Sequence, residues 1–443
     1  MSYLDKADPA VAKILKDEIK RQESTLMMIP SENHTSQAVR EVVGSAFQDK
    51  YCEGYPFRRY YQGQDNFDKL ETLCQDRIKK AFGVPYVNVQ PLSGAPANTA
   101  VYFGILNYGD KIMGLRLDQG GHISHGLAIN FSGKFLKPVF YHVDKKGFID
   151  YEAMEKIALK EKPKVIIAGI TSYPRALDFK RFAKIADKIG AYLMADMAHV
   201  SGLILAGAYP NPVPYVHIMT TTTHKTLRGP RGALIMVTNK GLKKDPELPL
   251  KIDKAIFPGL QGGPHENNIA GIAVAMKENS KPAQKKYGQK VVNNAKALAK
   301  YLQNEGFEVC SGGTDTHLIL LDMRPFDVSG KLTAEALEVA GMVANYNGIP
   351  YDPNPPFFPS GFRLGTPGMT SRGMGEVQMK KVALWMGQVI KDVAKIKKDL
   401  KITFEQERKK DTRDKIVAKS KVIKKVRKEI ASLCKKFPIK KRY

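Results

Sequence analysis

The chain has 443 residues, about three times the ~150-residue domain prior, so two or three packed units are expected. Hydrophobic residues make up 43%, with 37 Gly and 26 Pro, a balance that excludes a largely disordered chain. Lys plus Arg number 70 against 44 Asp plus Glu, a net charge of +26 that invites a nucleic-acid or anionic-surface role until the charge is located along the chain. No apolar stretch approaches the roughly 18 residues of a membrane helix. The opening MSYLDKADPAVAKILKDEIKRQ lacks the apolar region of a secretory signal. Cys52, Cys74, Cys310 and Cys434 are scattered without a CxxC pair. Neither a disulfide framework nor a metal site is expected, and a reducing cytoplasm is the expected location.

Residues 1–60 read as a helical start followed by a polar, Tyr-rich arm. From about 65 to 270, short β-rich runs recur: KIMGL (111–115), PVFYHV (138–143), KVIIAGI (164–170), AYLMAD (191–196), VHIMT (216–220) and GALIMV (232–237). Helical stretches such as 150–162 and 178–190 lie between several of them. Strands alternating with helices predict an α/β layer architecture with a mainly parallel sheet, whose ligands sit beyond the strand ends. A long helical stretch, roughly 265–305, leads to a second block with a strand at 317–323, a helix near 333–345, a Pro-rich loop at 350–359 and helices from about 375. The expected organisation is an arm (1–60), a large α/β domain (61–280), a smaller C-terminal α+β domain (281–400) and a basic helical extension (401–443).

That extension carries 17 Lys plus Arg against 5 Asp plus Glu, so +12 of the excess sits in 43 residues. Ile416, Ile423, Val426, Ile430 and Leu433 are spaced 7, 3, 4 and 3, which puts one apolar stripe on a helix. A terminal helix docked on the body with solvated lysines is the favoured reading. Nucleic-acid binding by the basic face is the sharper alternative, and the tail's few aromatics do not suggest a base-stacking platform.

Chemistry concentrates in four motifs. TTTTHKTLRGPRG (220–232) follows a strand and presents His224 and Lys225; a desolvated lysine there becomes an amine nucleophile suited to a Schiff base. AYLMADMAHVSG (191–202) ends a buried strand in Asp196, with His199 three residues on. A carboxylate so placed can pair with a cationic ring nitrogen, as pyridoxal phosphate demands. NVQPLSGAPAN (88–98) is a small-residue turn that can open a helix and offer N–H groups to a phosphate. GGHISHG (120–126) places His122 on a Gly-rich loop, where a flat imidazole could stack on a ring.

Together with EGYPFRRYYQG (53–63), PGLQGGPH (258–265) and RLGTPGMTSRG (363–373), these motifs resemble the serine hydroxymethyltransferase family from about residue 5 to 395. The resemblance implies a fold type I pyridoxal-phosphate enzyme: a large domain with a mostly parallel mixed sheet flanked by helices, plus a smaller α+β domain. It implies a homodimer with shared active sites and a tetrahydrofolate or related reduced pterin as co-substrate, converting serine to glycine.

By the same resemblance Lys225 bonds the cofactor, with Thr222 and His224 beside it. Asp196 meets the pyridine nitrogen, His199 and Thr171 the ring hydroxyl, and His122 stacks on the ring. Ser93, Gly94 and Ala95 form the phosphate turn, Arg231 joins the cofactor set, and Tyr51 and Gly263 reach the phosphate from the second subunit. Ala95 stands where the family commonly has Ser, so one hydroxyl is lost. Arg363 and Ser31 match the substrate-carboxylate contacts. Glu53, the proton shuttle, and Tyr61 come from the neighbouring subunit, and Leu117, Gly121, Ile123 and Asn347 match the pterin contacts. A pterin-independent threonine or allo-threonine aldolase is the nearest enzymatic alternative.

Overall fold

The structure is a computed structural model that describes residues 3–439. Its centre is a seven-stranded sheet. In spatial order the strands are Tyr86–Asn88, Ala233–Val237, Ile218–Thr222, Tyr192–Asp196, Val165–Gly169, Lys111–Leu115 and Lys137–Tyr141. The last five named are mutually parallel, and only Ala233–Val237 runs against its neighbours. This is the expected α/β architecture with a mostly parallel mixed sheet. The apolar runs are continuous rather than alternating because both faces are buried. Ile166 and Ala168 point into one core with Met113, Leu115, Leu193, Ala195, Leu234 and Met236. Val165 and Ile167 point into the other with Ile112, Met194, Ile218 and Ile235. Period-two alternation along each strand produces that division.

A second sheet is antiparallel, in the order Glu308–Val309, Leu318–Asp322, Gly361–Gly365, Asn345–Asn347. Its core joins Leu26 and Met28 from the N-terminal segment to the helices Gly330–Val339 and Glu376–Asp399. The expected long helix over 265–305 is two helices, Glu266–Asn279 and Pro282–Asn304. Pro282 explains the break: it has no N–H to continue the first helix, and it suits the first turn of the second. The helix expected near 333–345 instead runs Gly330–Val339, with the Ser329 hydroxyl capping it by accepting from Leu332 N at 3.0 Å.

The basic extension is two helices, Lys410–Lys419 and Lys421–Lys436, rather than one. Ser420 separates them and caps the second, its hydroxyl accepting from Ile423 N at 3.1 Å. All five stripe residues are buried in the second core, while Lys421, Lys424, Lys425, Lys428, Lys435 and Lys436 face solvent. Arg372 fastens this tail to the body. Its guanidinium donates to the carbonyls of Phe437 and Cys434 and to those of Glu23 and Thr25 on the N-terminal segment. No helix among the described residues is long and apolar enough to cross a membrane.

Candidate active site

The carboxyl ends of the parallel strands bring Asp196 and Lys225 together with Arg363, close enough for their charges to act on the lysine, where open α/β sheets arrange their ligand sites. Asp196 is the last residue of its strand and pairs across the sheet with Thr220 on one side and Gly169 on the other. A side chain at residue 169 would collide with Asp196 Cβ at 2.7 Å and with the His125 ring at 2.8 Å, so only glycine lets these approach. Asn98 Nδ2 donates to Asp196 Oδ2 at 2.8 Å, and His125 Nε2 lies 3.0 Å from the same oxygen. Ala198 N donates to the other oxygen at 3.0 Å. Burial opposes ionisation of Asp196, but His125, His122 and Asn98 outweigh it and hold the carboxyl well below the usual range. A permanent carboxylate facing a pocket is what a ring N–H requires.

Lys225 follows the neighbouring strand end. Burial lowers its amine to about 8; the attraction of Asp196 opposes the shift, and repulsion from Arg363 and Arg231 adds to it. The amine therefore loses its proton far more readily than a free lysine, which suits it to act as a nucleophile. His199 is fully buried, and burial with the charges of Lys225, His317 and Arg363 holds its ring well below the ordinary histidine value. Its Nδ1 is 3.3 Å from His317 Nε2, and the two rings stack with centroids 5.5 Å apart. His122, lowered to about 4 chiefly by burial, anchors its Nδ1 on Ser124 Oγ at 2.7 Å. Reactive nitrogens of His122 and His125 and an oxygen of Asp196 lie within 4.8 Å of one another.

Arg363 reaches the pocket from the smaller sheet. It is buried, which lowers it to about 10 while leaving it cationic at neutral pH. Its Nη1 donates to the Thr171 carbonyl at 2.8 Å and its Nε to Asn345 Oδ1 at 3.2 Å. Nη2 donates to nothing among the described residues, so one edge of the fork remains for an incoming anion. Ser31 follows Pro30, which packs on Gly365 two residues from Arg363.

Ser93 precedes the helix Gly94–Ile105 but makes no capping bond, so the first N–H groups and the hydroxyl stay uncommitted. Gly94 lies against Thr222, whose methyl would be 2.8 Å from a Cβ there. Thr222 itself donates to the Ala198 carbonyl at 3.3 Å. Ala95 is the second residue of this helix and Pro96 the third; Pro96 supplies no N–H. Thr171 Oγ1 and His224 Nδ1 are buried polar atoms with no hydrogen-bond partner among the described residues. Arg231 is exposed at the rim, near enough to depress both His224 and Lys225. Leu117 and Ile123 hold apolar side chains outward, 36% and 42% exposed, on the loop that carries Gly121. Asn347 lies at the end of its strand, where Gly348 comes against the Asp118 carbonyl.

Tyr51, Glu53 and Tyr61 form a separate group with Gly262 and Gly263. The Tyr51 and Tyr61 rings sit 5.4 Å apart. Glu53 Oε1 rests against Gly262, and the Tyr51 ring against Gly263. No contact within this chain joins that group to Lys225 among the described residues.

Sequence reasoning passed over three residues: His125, the nearest cation-capable partner of Asp196; Asn98, its second donor; and His317, which backs His199. GGHISHG carries two histidines, and the tight turn Ile123–His125 decides that the second meets Asp196. His317 is 118 residues from His199, and no local pattern connects them.

A family model described as serine hydroxymethyltransferase matches residues 4–386. A serine hydroxymethyltransferase of Sorangium cellulosum is 49% identical over 391 residues, covering 88% of this chain and 91% of that protein. One of Acidothermus cellulolyticus is 48% identical over 396 residues, covering 89% and 91% respectively. The seven motifs, the site that five of them build and a match spanning most of both chains agree: this chain belongs to the serine hydroxymethyltransferase family.

Proposed function

We infer that the chain moves the hydroxymethyl carbon of serine to a reduced pterin, tetrahydrofolate or a relative, leaving glycine, with pyridoxal 5'-phosphate held at Lys225. The observation that carries this reading is a desolvated amine, a buried carboxylate held ionised and an arginine with a free edge gathered at the strand ends. The residues present fit the cofactor. Asp196 suits the pyridine N–H, the unpartnered Thr171 hydroxyl and His199 suit the ring hydroxyl, and the uncapped turn of Ser93, Gly94 and Ala95 suits the phosphate. When bound, the cofactor supplies an electron sink for the pair released as the Cα–Cβ bond of serine breaks.

The protein's own groups do the rest. Arg363 and Ser31 hold the substrate carboxylate, and the guanidinium plane fixes the orientation of Cα. Lys225 gives up its proton readily enough to act as the amine at neutral pH. Asp196, kept ionised by His125 and Asn98, holds the ring proton in place. Glu53 takes the proton from the serine hydroxyl and returns one at the pterin. Tyr61 stands beside it as a hydrogen-bond donor.

Glu53, Tyr51 and Gly263 act on the site of a second copy, so the working unit is a homodimer with shared sites. Tyr51, Phe57, Tyr60 and Tyr61 are 59%, 77%, 72% and 44% exposed in the single chain, an aromatic patch of the kind a partner covers. Leu117, Ile123 and Asn347 offer an apolar wall with one amide, which suits a pterin better than the small aldehyde of an aldolase. The discriminating experiment compares serine cleavage with and without a reduced pterin, against cleavage of allo-threonine. Strict dependence of serine turnover on the pterin, lost in Glu53→Gln but with cofactor binding retained, supports the reading. Pterin-independent turnover of allo-threonine at a rate exceeding serine turnover would favour the aldolase.

A further inference from the structure

Beneath the hairpin that carries Glu53 lies a buried ionic cluster. The Arg59 side chain is 2% exposed, and those of Glu71 and Glu266 are 0%. Arg59 Nε donates to Asp68 Oδ1 at 2.9 Å and Nη2 to Glu71 Oε2 at 2.8 Å. Nη1 donates to the carbonyls of Cys52 at 2.8 Å and Gly54 at 3.2 Å, the two residues that flank Glu53. Gln90 also spans the cluster, donating to Gly54 O at 2.9 Å and Glu71 Oε1 at 3.1 Å.

Glu266 enters from the other side. It opens the helix Glu266–Asn279, three residues after Gly263. Among the described residues neither of its carboxyl oxygens receives a hydrogen bond, and the nearest guanidinium nitrogen, Arg59 Nη1, is 3.7 Å away. Three carboxyls therefore share one cation. An ionised carboxylate buried without a donor is strongly disfavoured, so the arrangement balances when Glu266 keeps its proton and donates it to Glu71. Burial raises both carboxyls of the pair, and the adjoining Glu71 pushes Glu266 further up. The other groups facing it are the Cys52 and Cys74 thiols, both pushed up by burial, with Lys50 and Arg77 as the outlying cations.

We propose that Arg59, Glu71 and protonated Glu266 are positioning residues that clamp the Glu53 hairpin onto the Gly262–Gly263 turn, and that the clamp slackens when Glu266 loses its proton. Both clamped segments carry residues that serve the partner's site, so the proposal rests on the role given to Glu53 above. The cluster touches neither substrate nor cofactor; it sets where the Glu53 carboxyl stands.

The test uses full-length, cofactor-loaded protein and two readouts. Amide hydrogen exchange of residues 51–60, corrected for the intrinsic pH dependence, should rise in the wild type between pH 7 and 9. Glu266→Gln, which retains the donor and cannot ionise, should flatten that rise and extend pterin-dependent turnover to higher pH. Arg59→Lys, which cannot span both carboxyls and both carbonyls, should lower kcat about tenfold to a hundredfold with the serine KM and the cofactor content unchanged. Identical pH dependence of exchange in wild type and Glu266→Gln would overturn the proposal, as would an unchanged kcat in Arg59→Lys. Should Glu266→Gln not fold, Glu71→Gln removes the opposing charge and is read by the same two criteria. Exchange that behaves as expected in a protein without pterin-dependent turnover would instead refute the assigned reaction and leave the clamp standing.

Discussion

Replacing Lys225 by Met should stabilise the cofactor-free protein while abolishing its chemistry. The amine falls from 10.5 to about 8 on folding, chiefly by burial. Between those values the unfolded chain binds the proton and the folded chain does not, so stability rises with pH across that window and the penalty is complete below it. The linkage works out at about 3 kcal/mol at pH 7 and about 1 kcal/mol at pH 9.5. Solvent that reaches the half-buried side chain screens part of this, which brings the expectation to about 2 kcal/mol at pH 7. Methionine keeps the length and apolar volume without the charge, so packing changes little. The assay is chemical denaturation of cofactor-stripped wild type and Lys225→Met at both pH values. The variant's midpoint should be higher at pH 7, and the gap should narrow at pH 9.5. A lower midpoint for the variant, or a gap that does not change with pH, would refute the reasoning that the pocket desolvates this amine.

On the role proposed for Arg363, Arg363→Ala removes a charge-assisted fork from the substrate carboxylate, worth about 3 kcal/mol. The serine KM should rise about a hundredfold while cofactor content holds, as titration and steady-state kinetics would show. Deleting residues 410–443 uncovers the pockets filled by Ile416, Ile423, Val426, Ile430 and Leu433 and leaves the Arg372 guanidinium without two of its carbonyl partners. Five buried aliphatic side chains at roughly 2 kcal/mol each make such a truncation strongly destabilising. Its thermal midpoint and expression yield should both fall; an unchanged midpoint would show that the tail is not part of the core.

Six of the seven strands of the large sheet were legible because the central ones are buried on both faces, which writes them as largely apolar runs; the three-residue strand Tyr86–Asn88 was too short to show such a run. The KIMGL run coincides with its strand, and the others lie within two residues of theirs. Helix limits were less legible. Pro282 splits a stretch that keeps its amphipathic period on both sides, and Ser420 divides a tail whose apolar spacing continues across it. The pocket's named lysine, aspartate and arginine follow from local motifs. Its supports do not: His125 and Asn98 meet Asp196 across 71 and 98 residues. Glu266 meets Glu71 only because the helix that it opens packs on the helix Asp65–Phe82. Contacts of that kind are set by tertiary packing.

The most direct test of the assigned reaction follows the β-carbon of serine. Serine labelled with carbon-13 at that position is given to the purified protein with pyridoxal 5'-phosphate and tetrahydrofolate, and the label is located by NMR. Wild type should pass the label to the pterin and leave unlabelled glycine, Lys225→Ala should leave the serine intact, and Glu53→Gln should lose most of the transfer. Label remaining in serine with the wild type, or transfer that persists without Lys225, would contradict the account.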